Sequence, residues 1–181
     1  MSAPCAPLTP DLRVVLAFAN TLGFDPPGDD WSDPSVARGW LAEHDLPAGP
    51  ADEGELAHLR AFRGALRAVL EANAGHGSRE AAWGQVEPFA REAPLYIAPG
   101  ETPVLSPAGS GLQATIGTVL ASVYDALRAG TWRRLKLCRE ESCRWAYYDQ
   151  SKNGSGAWCS MRICGNRNKA RRRRERERPT S

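Results

Sequence analysis

Cys138, Cys143, Cys159 and Cys164 fall within 27 residues of one another and form two Cys-x4-Cys pairs separated by fifteen residues. Zinc prefers sulfur ligands in closed tetrahedral sites, and two short loops joined by a spacer can deliver four thiolates without a large preformed core. Four thiolates leave no open position for water, so the spacing predicts one structural Zn2+ rather than a catalytic one. A redox pair usually has two residues between its cysteines, whereas four stand here. Cys5 lies far from the cluster and is expected to be dispensable for it. His44, His58 and His76 are scattered, and no Ser/His/Asp set, phosphate loop or carboxylate pair at an informative spacing is present. No enzymatic activity is expected.

A second chemistry follows the last cysteine. Read as a helix from about Asn166, the residues Arg167, Arg171, Arg174 and Arg178 recur at i, i+4, i+7 and i+11 and make one narrow stripe, with no apolar stripe opposite. Glu175 and Glu177 are spaced to pair with Arg171 and Arg173 and so leave the stripe free. A helix with nothing to bury is either a solvated tail or an element stabilised by a charged partner. Placed directly after a metal knuckle that fixes its first turn, it reads as a nucleic-acid element. Guanidinium groups bind phosphate bidentately and can read guanine. The expected contacts are Arg167, Lys169, Arg171, Arg174 and Arg178, with Arg172 and Arg176 pointing away.

The charge distribution agrees with that division. Residues 1–130 carry 8 Arg or Lys against 16 Asp or Glu, and residues 131–181 carry 15 against 5, so segments of −8 and +10 make the total of +2. The domains are therefore expected at 1–130 and 131–181. No run approaches the ~18 apolar residues of a membrane span, and no export signal precedes the chain's first helix, so a cytosolic protein without a membrane partner is expected.

The elements that must position these groups are mainly helical. Thr9-Pro10-Asp11 starts a short helix through Leu12, Val15, Leu16 and Ala19, and Phe24 to Asp33 reads as a loop. Asp33-Pro34 opens a second helix through Trp40 and Leu41. A third, from about Asp52 to Gly75, carries the stripe Leu56, Leu59, Phe62, Leu66, Val69 and Leu70, with Arg60, Arg63 and Arg67 beside it. A weaker helix around Trp83, a hairpin whose arms flank Ala98 to Pro103, and a helix from Leu112 to Gly130 complete a body large enough to bury its own core. Between the cysteine pairs, Trp145 to Tyr148 is expected to pair with a return strand at Trp158, so the module reads as knuckle, β-hairpin, knuckle and basic helix. The fold class is mainly α with a small β-hairpin: a helical N-terminal domain plus a C-terminal four-cysteine zinc finger. Trp145, Tyr147, Tyr148 and Trp158 either supply a small core or stack on bases, with the core reading favoured. Asp149 could hydrogen-bond within the following turn or orient an arginine.

Trp158-Cys159-Ser160-Met161, followed by Cys164-Gly165-Asn166-Arg167, resembles the signature of the CGNR zinc-finger family. Related fingers tend to carry basic residues just before the tryptophan, where this chain has Gly156 and Ala157. Leu16-Ala17-Phe18-Ala19-Asn20-Thr21 and Trp40-Leu41 are similar to motifs of ABATE, a domain of stress-induced transcription regulators that typically accompanies this finger. The resemblance implies a bacterial-type regulator whose finger binds DNA and whose N-terminal domain senses a small-molecule or protein effector. It also implies a ligand pocket at Asn20 and Thr21, although an Asn near a helix end equally serves as a cap. The alternatives are an adaptor whose finger docks on an acidic protein surface and an RNA binder that uses the aromatic hairpin. Oligomeric state is not legible.

Overall fold

The computed structural model describes residues 8–47 and 49–177; Cys5 and Arg178 lie outside them. Helix α1 (Pro10–Asn20) starts as its residues dictate, with Thr9 Oγ1 accepting from the Leu12 amide and proline in the first turn. Its buried side chains, Leu12, Val15, Phe18 and Ala19, follow helical spacing. The segment expected as a plain loop instead opens with a small antiparallel ribbon, β1 (Leu22–Phe24) and β2 (Pro27–Asp29). Strands of three residues carry too short a pattern to show alternation.

Asp33 caps α2 (Pro34–Glu43) by accepting from the Ser35 and Val36 amides. Helix α3 (Glu53–Asn73) begins with a reciprocal cap: Asp52 accepts from the Glu55 amide while the Glu55 carboxylate accepts from the Ala51 amide. Helix α4 (Arg79–Glu92) leads into the antiparallel hairpin β3 (Leu95–Ala98) and β4 (Val104–Pro107), and α5 (Gly111–Arg128) follows. The hairpin lies close on α5 because Gly117 has no side chain; a Cβ there would stand 2.9 Å from Pro107 Cβ.

In the C-terminal segment the expected pairing is corrected. Strand β6 (Ala146–Tyr148) pairs not with a return strand at Trp158 but with β5 (Leu135–Leu137), which precedes the first cysteine. Leu135 and Leu137 are buried and hold β5 against α3, whereas the chain beyond Tyr148 is drawn into a loop by Asp149. The hairpin therefore encloses the first cysteine pair. A π turn (Met161–Gly165) then leads into α6 (Asn166–Glu177).

One core serves both halves of the sequence. Leu135, Leu137, Ala146 and Tyr148 join the same buried cluster as Leu12, Phe18, Leu59 and Phe62. Of Trp145, Tyr147, Tyr148 and Trp158, Tyr148 is the one buried in that cluster; Tyr147 donates its hydroxyl to Gly156 O (2.7 Å), and Trp145 remains 48% exposed. Full burial of side chains of this size stabilises by roughly 1.5–3 kcal/mol each. No helix among the described residues is long and apolar enough to cross a membrane.

Candidate functional site

The four cysteines of the two pairs converge, with all Sγ atoms within 4.8 Å of one another. Each pair is shaped by a turn that closes on one carbonyl: Glu140 O accepts from the Cys143 and Arg144 amides, and Ser160 O from the Cys164 and Gly165 amides. The Cys143–Cys159 and Cys159–Cys164 sulfurs stand 3.6 and 3.7 Å apart. A zinc–sulfur bond of ~2.3 Å implies tetrahedral edges of about 3.8 Å, so the donor set fits zinc. Burial, with the neighbouring sulfurs adding to it, pushes the Cys159 thiol far up and the Cys164 thiol up to about 12. Four thiolates this close require a cation among them, and zinc supplies it while holding the two turns together.

Polar contacts latch this centre to the helical body, and most come from residues whose role the sequence did not reveal. Asn20 acts as a strand mimic: its side chain donates to Ala146 O (2.9 Å) and accepts from Ala146 N (2.7 Å). Arg67, 6% exposed, donates to Ala19 O and Arg144 O at 2.6 and 2.7 Å. Burial lowers its pKa to about 10, which leaves it charged at neutral pH. Arg144 in turn pairs bidentately with Glu71 of α3. Thr21 is buried, donating to Phe18 O and accepting from Arg63, which also grips Asp29 through both guanidinium nitrogens. Thr21 is therefore part of the latch, while Asn20 both latches Ala146 and lines a cavity beside the metal centre.

Asp149 resolves as an organiser of its own turn. It accepts from the Ser151 and Gly156 amides and from Lys136, whose ammonium also donates to Gly154 O and Gly156 O. Burial pushes the Asp149 carboxyl up, but the hydrogen bonds from Lys136 and Ser151 prevail and hold it down at about 2. A Cβ on Gly156 would sit 2.6 Å from Asp149 Oδ1, so this turn has no room for a longer side chain.

The basic helix forms as the spacing predicts, but its stripe does not stand free. Arg167 donates to Asp25 Oδ2 and Ser142 Oγ, each at 2.9 Å, and Arg171 to Glu140 Oε1 at 3.1 Å. The expected Arg171–Glu175 pair thus gives way to a contact with the first knuckle, whereas Arg173 does pair with Glu177 (2.7 Å). Asn168, on the same side as Arg171, is buried. The stripe's first half consequently faces the body, and Lys169, Arg172 and Arg176 face solvent with no ion-pair partner among the described residues. Arg174 is also exposed and unpaired among them.

A cavity of about 550 Å³ lies between the β1–β2 ribbon and the metal centre. Asn20 reaches it, together with Phe24, Asp25, Asp30, Trp145 and Arg167. No carboxylate here was singled out by sequence, because Asp25 and Asp30 fall in a Pro- and Gly-rich stretch without periodicity.

Comparison with known families accounts for nearly all of this architecture. Residues 12–130 match the family ABATE, described as "Putative stress-induced transcription regulator", and residues 134–177 match the family described as "CGNR zinc finger". No curated protein matches the chain. With well over half of its length inside the first match, the chain belongs to the ABATE family and carries a CGNR zinc finger after that domain.

Proposed function

We propose that this chain is a DNA-binding transcription regulator in which the zinc centre fixes the first turn of α6 and presents its outer face to the duplex. The observation that carries the reading is the row Lys169, Arg172 and Arg176, exposed and without ion-pair partners among the described residues, on a helix anchored at its start to the metal module. The segment 131–181 bears +10 while the rest bears −8, so phosphates are drawn to one side of the molecule. The N-terminal segment then serves to sense an effector.

Three phosphate contacts give a slope of log K against log salt near −2.7. Binding of the zinc-loaded protein to genomic duplex fragments, titrated with salt, tests this. Arg172→Ala with Arg176→Ala should flatten the slope by about 1.8 units. An unchanged slope overturns the assignment of this face. Met161 and Ile163, 60% and 53% exposed beside the basic helix, favour a second reading, in which the same face docks on an acidic protein. Failure to bind any duplex would give that reading precedence.

A further inference from the structure

Phe24, Trp145 and Ile163 are among the large apolar side chains left substantially exposed, at 40%, 48% and 53%. They come from β1, from the residue before β6 and from the π turn, yet all three wall the same cavity. Separate elements that turn exposed apolar groups toward one concave space of about 550 Å³ build the ordinary shape of a small-molecule site. The charge around that space is unbalanced. Among the described residues Arg167 is the one cation in the lining, and its guanidinium is already bound to Asp25 and Ser142. Asp30 is exposed at the lining, and its carboxylate has no partner among the described residues. Cys143, Cys159 and Cys164 are also in the lining, and zinc bound by four thiolates is a dianionic unit.

We propose that this cavity binds an organic cation with a large apolar or aromatic body, the body lying on Phe24, Trp145 and Ile163 and the positive centre beside Asp30. An anion would meet Asp30 and the nearby dianionic metal centre, and a neutral molecule would leave Asp30 facing an apolar surface. A cation satisfies the carboxylate and can also use the exposed face of the Trp145 indole. Its arrival places positive charge near Asp25 and weakens the hold of Asp25 on Arg167. Occupancy is thereby transmitted to the first turn of α6, a consequence that rests on the reading of α6 as the DNA-binding element.

The test uses the full-length, zinc-loaded protein without DNA. Fluorescence anisotropy follows rhodamine 6G, a bulky aromatic cation, and fluorescein, an anion of similar size. Saturable binding of rhodamine 6G is expected, with no saturable binding of fluorescein. Asp30→Asn should weaken the cation by at least about fivefold, and Trp145→Ala by a similar factor, while Glu101→Gln on the distant β3–β4 turn leaves it unchanged. Zinc content, measured alongside, shows whether the Trp145 variant keeps its fold; the exposed Asp30 serves where it does not. Fluorescein binding as tightly as rhodamine 6G, or a smaller effect of Asp30→Asn, overturns the proposal. DNA binding measured separately without probe keeps the two readings apart. A protein that binds DNA but not the cation loses only this inference, and one that binds the cation but not DNA loses only the regulator reading.

Discussion

Two rows of arginine on two helices are nearly the same in sequence and opposite in use. On α3, Arg60, Arg63 and Arg67 lie at i, i+3 and i+7; on α6, Arg167, Arg171 and Arg174 lie at i, i+4 and i+7. The α3 row is drawn inward, because the apolar stripe beside it packs into the core and carries the arginines with it. Arg63 and Arg67 end 3% and 6% exposed, paired with Asp29, Thr21 and backbone carbonyls, while Arg60 caps the carbonyls of Trp31 and Ser32. The α6 row has no apolar stripe beside it, so only its first half is held, by Asp25 and Glu140 at the rim of the metal module. Arginine spacing defines a row; the apolar neighbours decide whether that row becomes scaffold or surface.

If the α6 row depends on the metal and the α3 row on burial, removing zinc should separate them with the largest effect of all. Thiolate coordination contributes on the order of 10–16 kcal/mol of apparent folding free energy in small finger modules. Chelation, or Cys159→Ser, should abolish hydrogen-exchange protection from β5 through α6. Because Leu135, Leu137, Ala146 and Tyr148 share the body's core, the melting temperature of α3 should fall too. Unchanged protection in α3 would show the two regions to be independent, as the charge division of the sequence suggests. Acid should act in the same sense: the raised thiol pKa values let protons compete with zinc, so metal retention falls as pH falls.

Arg63→Met breaks the scaffold row at its most buried member and should cost about 3–5 kcal/mol by chemical denaturation. It should also alter the pH profile. Burial raises the Asp29 pKa, but the Arg63 hydrogen bond, with help from the Trp31 amide and Arg60, outweighs it and leaves the carboxyl below its usual range. A depressed native pKa gives stability that is present above about pH 4, the unfolded value, and is lost as pH falls through the native value. The variant should lose that acid dependence, and a profile parallel to the parent would refute the pair's role.

On the surface row the two pairs of substitutions should differ. Arg172→Ala with Arg176→Ala removes outward charge, whereas Arg167→Ala with Arg171→Ala removes contacts to Asp25 and Glu140. The first pair should flatten the salt slope of DNA binding by about 1.8 units and the second by less. Equal slopes would mean that the charge acts as an undirected tail. The smallest effect is expected from Arg173→Ala, which loses an exposed i,i+4 pair with Glu177 and should change stability by no more than ~0.5 kcal/mol.

The first four helices were legible because local signals mark them: Thr9, Asp33, Asp52 and Ser78 all cap as their types allow, and apolar residues recur behind them at helical spacing. The cysteine cluster was legible because metal spacing is local. The partner of β6 was not, since Leu135 and Trp158 flank it with comparable strand character and only packing on α3 selects the former. Asn20 could be read as a pocket residue or a cap; it lines the cavity and is also a backbone partner for a strand 126 residues away, a contact no local pattern reveals.

By itself, the sequence determined the helices, the zinc ligands and a cationic helix behind them, because capping, periodicity and ligand spacing act over a few residues. Only the tertiary structure decided which arginines are buried, which face of α6 meets solvent, and that Asp25, Asp30 and Trp145 surround one cavity. Those outcomes depend on elements distant in the chain, brought together by a core to which both halves contribute.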